Sequence, residues 1–184
     1  MQINTVSLDN SVSPAKIEFS GQFNVAVPFI DRHLEEGRGG KVVIKVHGGG
    51  DVTFATLAEH VNRAGNALLN LGVKPGDRVL MMVKDAPDFY YVYWGAIKAG
   101  ILPVPLNTLL RAKDYAYMIE NSEAAGVIYS PEFSEEVEPS LETATHKPPT
   151  VLKTEGPGKT FAMHMAAADT TLQPAKVSPE DDAF

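Results

Sequence analysis

Apolar residues along the chain recur with two different periods, and each period marks a different kind of element. Lys41 to Val46 alternates, placing Val42, Ile44 and Val46 on one face, which predicts a half-buried strand. Gly48-Gly49-Gly50-Asp51 supplies turn chemistry, and Val52-Thr53-Phe54 can return as the partner strand of an antiparallel hairpin. The period then lengthens. Leu57, Val61, Ala64, Leu68 and Leu71 fall at helical spacing, with Thr53 placed to cap that helix and Gly72 to end it. Asn24 to Glu36, carrying Val25, Phe29, Ile30 and Leu34, reads as a shorter helix closed by Gly37.

From Asp77 to Lys153 strands and helices alternate. Val79 to Val83 is an apolar strand, and Pro87 opens a helix through Phe89, Tyr90, Val92, Tyr93, Ala96 and Ile97 to Gly100. That helix is apolar nearly all round, which predicts burial on every side. Ile101 to Leu106 is extended, but Pro103 and Pro105 remove two donors, so it cannot pair fully on both sides. A helix over Asp114 to Asn121, a strand at Val127-Ile128-Tyr129, an acidic helix opened by Ser130-Pro131 and a last strand at Thr150-Val151-Leu152 follow. This alternation predicts an α/β fold, with a partial parallel sheet joined by right-handed crossovers and preceded by the antiparallel hairpin. Residues 1–22 are polar and read as an extended N-terminal arm, 23–153 as the α/β subdomain, and 154–184 as a loop-rich linker with one short helix near Phe161 to Ala168.

Composition narrows the function classes. The net charge is −7, from 16 basic and 23 acidic residues, with no basic cluster, which argues against nucleic acid as a partner. No apolar run approaches the roughly 20 residues of a membrane helix, and Met1-Gln2-Ile3-Asn4-Thr5 carries no export signal. A cytoplasmic protein with no membrane partner is the expectation. The absence of cysteine excludes disulfides, thiolate metal sites and a cysteine nucleophile together.

Several motifs invite a chemical reading and fail it. His47-Gly48-Gly49-Gly50 resembles an oxyanion-hole motif, but the chain has no Gly-x-Ser-x-Gly nucleophile elbow, and a hairpin turn accounts for the glycines. Gly158-Lys159-Thr160 ends like a phosphate-binding loop, yet Lys153 stands where its first glycine belongs. His33, His47, His60, His146 and His164 show no metal-ligand spacing, and no metal site is expected. His60 lies beside core position Val61 and is expected on the surface. Glu132, Glu135, Glu136 and Glu138 read as a solvated helix face that complements a helix N-terminus. Phe89, Tyr90, Tyr91, Tyr93 and Trp94 read as the packing of a buried helix rather than a substrate box.

Val52-Thr53-Phe54-Ala55-Thr56-Leu57, a helix to Gly72, and Val73-Lys74-Pro75-Gly76-Asp77-Arg78-Val79 follow one another in an order that resembles the opening of the adenylate-forming enzymes. Ile97-Lys98-Ala99-Gly100-Ile101-Leu102-Pro103-Val104-Pro105-Leu106-Asn107 resembles their second core motif, and the likeness covers residues 23 to about 130. Asn107-Thr108-Leu109-Leu110 with Asp114-Tyr115-Ala116-Tyr117-Met118 looks like the benzoate-CoA ligase branch. Ser178-Pro179-Glu180-Asp181-Asp182-Ala183-Phe184 resembles the lead-in to that family's phosphate loop.

The resemblance implies part of an N-terminal domain of an aryl-CoA ligase. The parent would join a small aromatic carboxylate to AMP from ATP, releasing pyrophosphate, and then pass the acyl group to CoA with Mg²⁺ in support. The phosphate loop, the acid pocket and a C-terminal catalytic lysine would lie beyond Phe184. This segment is therefore expected to be inactive alone, with no catalytic residue and no cofactor of its own. In some relatives the loop after the second core motif carries an arginine for the CoA phosphates. Its position falls on Leu109 here, so Thr108, Leu109 and Arg111 are the candidate CoA-path residues, with Arg111 as a possible substitute. Against this stands a helix-entry loop with a solvated arginine. A 4-hydroxybenzoate or other cyclic-acid ligase, and a stand-alone non-catalytic binding module, are the rival functions. The rest of the parent ligase is the expected partner, and the segment alone is expected to self-associate through an open sheet edge and uncovered apolar surface.

Overall fold

The two periods resolve into strands and helices close to where the pattern puts them. A computed structural model describes residues 3–184. In chain order it contains β1 (Val6–Asp9), β2 (Lys16–Phe19), a π-helical turn (Val27–Asp31) running into α1 (Arg32–Glu35), β3 (Val42–Ile44), β4 (Val52–Thr53), α2 (Phe54–Asn70), β5 (Arg78–Met82), α3 (Pro87–Lys98) and β6 (Leu102–Pro105). Then come α4 (Ala112–Ser122), β7 (Gly126–Tyr129), a 3₁₀ turn (Pro131–Phe133), α5 (Ser134–Thr143), β8 (Thr150–Lys153) and α6 (Phe161–Ala167).

The last four strands form one parallel sheet in the order β6-β5-β7-β8. Among the described residues β6 pairs only with β5 and so lies at an edge, the place where Pro103 and Pro105 leave no ladder donor wanting. β5 is interior, and its alternation divides two cores. Val79 and Met81 join Leu57, Val61, Leu68 and Val92 on the α2–α3 side. Leu80 and Met82 join Tyr115, Ile119 and Val137 on the α4–α5 side. All four β5 residues have no exposed surface, and burying each contributes about 1.5–3 kcal/mol relative to exposure. A strand covered on both faces reads as an unbroken apolar run, which is how 79–83 reads.

Thr53 caps α2 as expected, its Oγ1 accepting from the Thr56 amide at 3.2 Å, and β3 pairs antiparallel with β4. α2 and α3 approach until their backbones touch. A Cβ at Gly95 would sit 2.8 Å from both Val61 O and Gly65 N, and one at Gly65 would sit 2.7 Å from Gly95 O. Only a missing side chain on each helix allows this crossing.

Three stretches differ from expectation. Residues 1–22, expected as an extended arm, hold a hairpin in which Val6 opposes Phe19 and Leu8 opposes Ile17. These four share one face and all are exposed, from 43% for Val6 to 61% for Leu8. Four residues per strand give too short an alternation to stand out in sequence. α3, expected to be buried all round, buries Tyr91, Val92, Ala96 and Ile97 but leaves Phe89, Tyr90, Tyr93 and Trp94 half-buried. The outer rings pack on one another instead, Phe89 on Tyr93 and Phe29 on Trp94, with centroids 5.9 and 5.4 Å apart.

Residues 154–184 are loop-rich, as expected, but 168–177 are tied down as a strap. Asn62 Nδ2 donates to Thr170 O at 2.8 Å, Asn66 Nδ2 to Asp169 O at 2.9 Å and Thr171 O at 2.8 Å, and Arg63 Nη1 to Ala168 O at 2.9 Å. Further on, Ala175 N donates to Lys98 O at 2.8 Å and Phe23 N to Val177 O at 2.9 Å.

Candidate functional site

In an open α/β sheet, ligands gather beyond the carboxyl ends of the strands, where the strand order reverses. Here the chain leaves β5 for β6 on one side and returns to β7 on the other, so the reversal point lies beyond Met82, Pro105 and Tyr129. The residues there are charged and mutually satisfied. Lys84 Nζ is 3.1 Å from Glu132 Oε1 and 3.6 Å from Glu155 Oε1, and Lys153 Nζ is 2.8 Å from Glu138 Oε1. Tyr129 OH donates to Glu138 at 3.2 Å, and burial, then the Glu138 charge, push its pKa up to about 12. Burial, then the charge of Glu155, raises the pKa of Asp88 in the first turn of α3.

Ser130, expected to open the acidic helix, makes no side-chain cap. Its Oγ accepts from the Lys84 amide at 3.0 Å and joins the ends of β5 and β7. The glutamates expected as a solvated face are also engaged. Glu132, Glu136 and Glu138 each hold a cation, while Glu135 has no ion pair among the described residues. Pairs this exposed contribute about 0–1 kcal/mol each, so they set geometry more than stability.

Thr108, Leu109 and Arg111 do share one place, the loop from β6 to α4. Asn107 shapes it, with Oδ1 accepting from the Leu109 amide at 2.9 Å while its carbonyl accepts from Tyr115 OH at 2.9 Å. Leu109 is 84% exposed. Arg111 Nη1 lies 2.9 Å from Glu136 Oε1, and the other oxygen of that carboxylate accepts from the Ala112 amide at 2.7 Å. Arg111, then this amide, holds the Glu136 carboxyl below its usual range. The loop therefore offers a phosphate one guanidinium, already shared with a carboxylate that it would have to leave. Among the described residues no group of three or more His, Cys, Asp or Glu could hold a metal ion.

His60, expected on the surface, is half-buried. Its ring stacks on Tyr91 at 4.5 Å and its Nδ1 lies 2.9 Å from Thr56 O. The residues that sequence reasoning passed over are polar ones inside the α2–α3 layer. Lys98 is buried, with Nζ 2.7 Å from Asp31 Oδ1 and 2.8 Å from Asn62 Oδ1. Asn24 is buried and donates through Nδ2 to Ile97 O at 3.1 Å. A partial signal existed: Asn62 and Asn66 are one helical turn apart beside Arg63, an uncommon polar row next to core positions.

A family model described as AMP-binding enzyme matches residues 31–184. The chain is 36% identical over 181 residues to the benzoate–CoA ligase of Thauera aromatica, covering 96% of this chain and 33% of that one. It is 34% identical over 164 residues to the 4-hydroxybenzoate–CoA/benzoate–CoA ligase of Rhodopseudomonas palustris, covering 88% of this chain and 30% of that one. The crystal structure of a benzoate CoA ligase from Burkholderia xenovorans superposes with a TM-score of 0.79 at 32% identity, over 88% of this chain and 32% of the other. The chain thus spans about a third of the length of the ligases it matches. No helix among the described residues is long and apolar enough to cross a membrane. With the parallel sheet, its flanking helices and the family match in agreement, the chain belongs to the AMP-binding enzyme family.

Proposed function

We propose that the chain is the N-terminal third of a cytoplasmic aryl-CoA ligase. The parent reaction joins a benzoate-type carboxylate to the α-phosphorus of ATP with loss of pyrophosphate, and the CoA thiol then displaces AMP. The observation that carries this reading is the 36% identity to a benzoate–CoA ligase along 181 residues. A 4-hydroxybenzoate parent is the second reading, supported by the relative named for both acids. ATP, Mg²⁺ and CoA belong to the parent, whose remaining two thirds are this segment's partner. Within the segment, the loop of Thr108, Leu109 and Arg111 borders the CoA path and no residue carries a chemical step. The segment alone is inactive.

The test is pyrophosphate release and acyl-CoA formation by the whole ligase carrying this sequence, with benzoate, 4-hydroxybenzoate and acetate compared. Preference for either aromatic acid supports the reading, and preference for acetate overturns it. The same assay on the 184-residue chain should stay at the blank, and turnover that tracks with the chain overturns its inactivity.

A further inference from the structure

The strap over 168–177 is gripped by side chains of α2 that read only its backbone. Ala168 O accepts from Arg63 Nη1, Asp169 O and Thr171 O from Asn66 Nδ2, and Thr170 O from Asn62 Nδ2. These contacts fix a path and a register whatever the strap's own side chains are. Two glycines let it lie close. A Cβ on Gly65 would collide with Leu172, and one on Gly100 would lie 2.8 Å from that of Ala175.

Chemistry decides which way the Asn62 amide points. A backbone carbonyl only accepts, and a lysine ammonium only donates. Asn62 stands between the two, its Oδ1 2.8 Å from Lys98 Nζ and its Nδ2 2.8 Å from Thr170 O, so one orientation alone satisfies both. Lys98 is held in turn by Asp31 Oδ1 at 2.7 Å. A line of polar contacts therefore runs from the end of the π-helical turn through α3 and α2 to the strap. Beyond the strap, Asp182 and Phe184 lie beside Leu102 and Val104 of β6, and the Phe184 ring reaches Tyr93 with centroids 6.0 Å apart.

We propose that Asn62, Arg63 and Asn66 form a latch, set by the charge of Lys98, that holds the strap in one register and so positions residues 178–184 against the edge of β6. In the whole ligase these are positioning residues and touch no substrate. That part rests on the ligase reading, in which 178–184 lead into the phosphate loop.

Replacing asparagine by aspartate keeps the shape and turns the donor into an acceptor. In the 184-residue chain, Asn66→Asp with native circular dichroism should speed exchange of the Phe23 and Ala175 amides, which pair with Val177 O and Lys98 O. Two lost donors predict an acceleration of about tenfold or more. Tryptic cleavage after Lys176 should quicken relative to cleavage after Lys159, both of them exposed. Asn70→Asp puts the same charge on the exposed last residue of α2 and should change neither rate. Asp31→Leu with Lys98→Met frees the Asn62 amide to turn without stranding a charge, and should speed Ala175 exchange by less than Asn66→Asp does. Unchanged exchange in Asn66→Asp, or equal acceleration in Asn70→Asp, overturns the latch. Unchanged Ala175 exchange in the double variant overturns the role of Lys98. In the whole ligase Asn66→Asp should raise KM for ATP severalfold and leave KM for CoA unchanged, and an unmoved KM for ATP overturns the positioning role. Exchange and cleavage need no turnover, so the failure of the latch is distinguishable from that of the ligase reading.

Discussion

Lys98 Nζ sits 2.7 Å from Asp31 Oδ1, inside the layer where the π-helical turn, α2 and α3 meet. The lysine side chain is 4% exposed and the aspartate 23%. Removing one partner strands a charge away from water, at a cost of about 3–5 kcal/mol. Asp31→Ala should therefore lower the urea midpoint sharply. The double variant Asp31→Leu with Lys98→Met should lose much less than the two single variants added together. Additive losses would mean that the pair is not coupled.

The crossing of α2 over α3 makes Gly95 intolerant of one methyl group. An added Cβ meets the Val61 carbonyl and the Gly65 amide, both backbone and unable to rotate aside. Gly95→Ala improves helix propensity, yet overpacking at this contact should cost about 1–3 kcal/mol net. Thermal unfolding decides it, and an unchanged or raised Tm would show that the helices can separate freely.

Tyr129 should make the fold sensitive to alkali. An ordinary tyrosine ionises near 10, while here the pKa stands at about 12. Between those values the unfolded chain gives up the proton and the folded chain keeps it. Stability is thus intact below about 10 and is lost as pH rises through the window toward 12. Tyr129→Phe should flatten this alkaline limb in urea titrations at stepped pH. A slope identical to wild type would remove Tyr129 as its source.

Arg111 and Glu136 offer opposite effects on one parameter. In the whole ligase, Arg111→Ala should raise KM for CoA about fivefold, the limit for a surface phosphate contact of about 1 kcal/mol, with kcat unchanged. Glu136→Gln, which releases the guanidinium, and Leu109→Arg, which adds a second one, should lower it. Steady-state kinetics at varied CoA provide the check, and an unmoved KM in all three would return Arg111 to a surface ion pair.

By itself the chain should associate with further copies. Val6, Leu8, Ile17 and Phe19 present one apolar face, and among the described residues β8 pairs only with β7. Size exclusion with light scattering should give a mass above 19.9 kDa that grows with concentration. Val6→Ser with Leu8→Ser should reduce it. A sharp monomer at all concentrations would refute the expectation.

Strands and helices of the sheet layer were legible because burial on one or two faces imposes a period. Thr53 at its cap, the prolines of β6 and the run 79–83 all carried that signal. The α2–α3 polar layer was not legible, since Asn24, Asn62 and Lys98 acquire meaning only when segments far apart in sequence meet. The outer aromatics of α3 misled for a related reason. Apolar character all round predicts burial, but rings can also bury one another and leave an open face. Thr108, Leu109 and Arg111 lie in the loop from β6 to α4, whereas the grip of Glu136 on Arg111 depends on a helix 25 residues away.

The strap has a consequence for the order in which the chain is made. Asn24 Nδ2 reaches Ala175 O at 3.4 Å across a separation of 151 residues, and Phe23 N pairs with Val177 O. During synthesis the segment around Asn24 waits for a segment made about 150 residues later before these hydrogen bonds close. Contacts of such range are slow to form, and until then Asn24 and the segment around it stay open to solvent and to proteases. A nascent chain arrested before Ala175 emerges should be cut near Phe23 by a protease that the released chain resists.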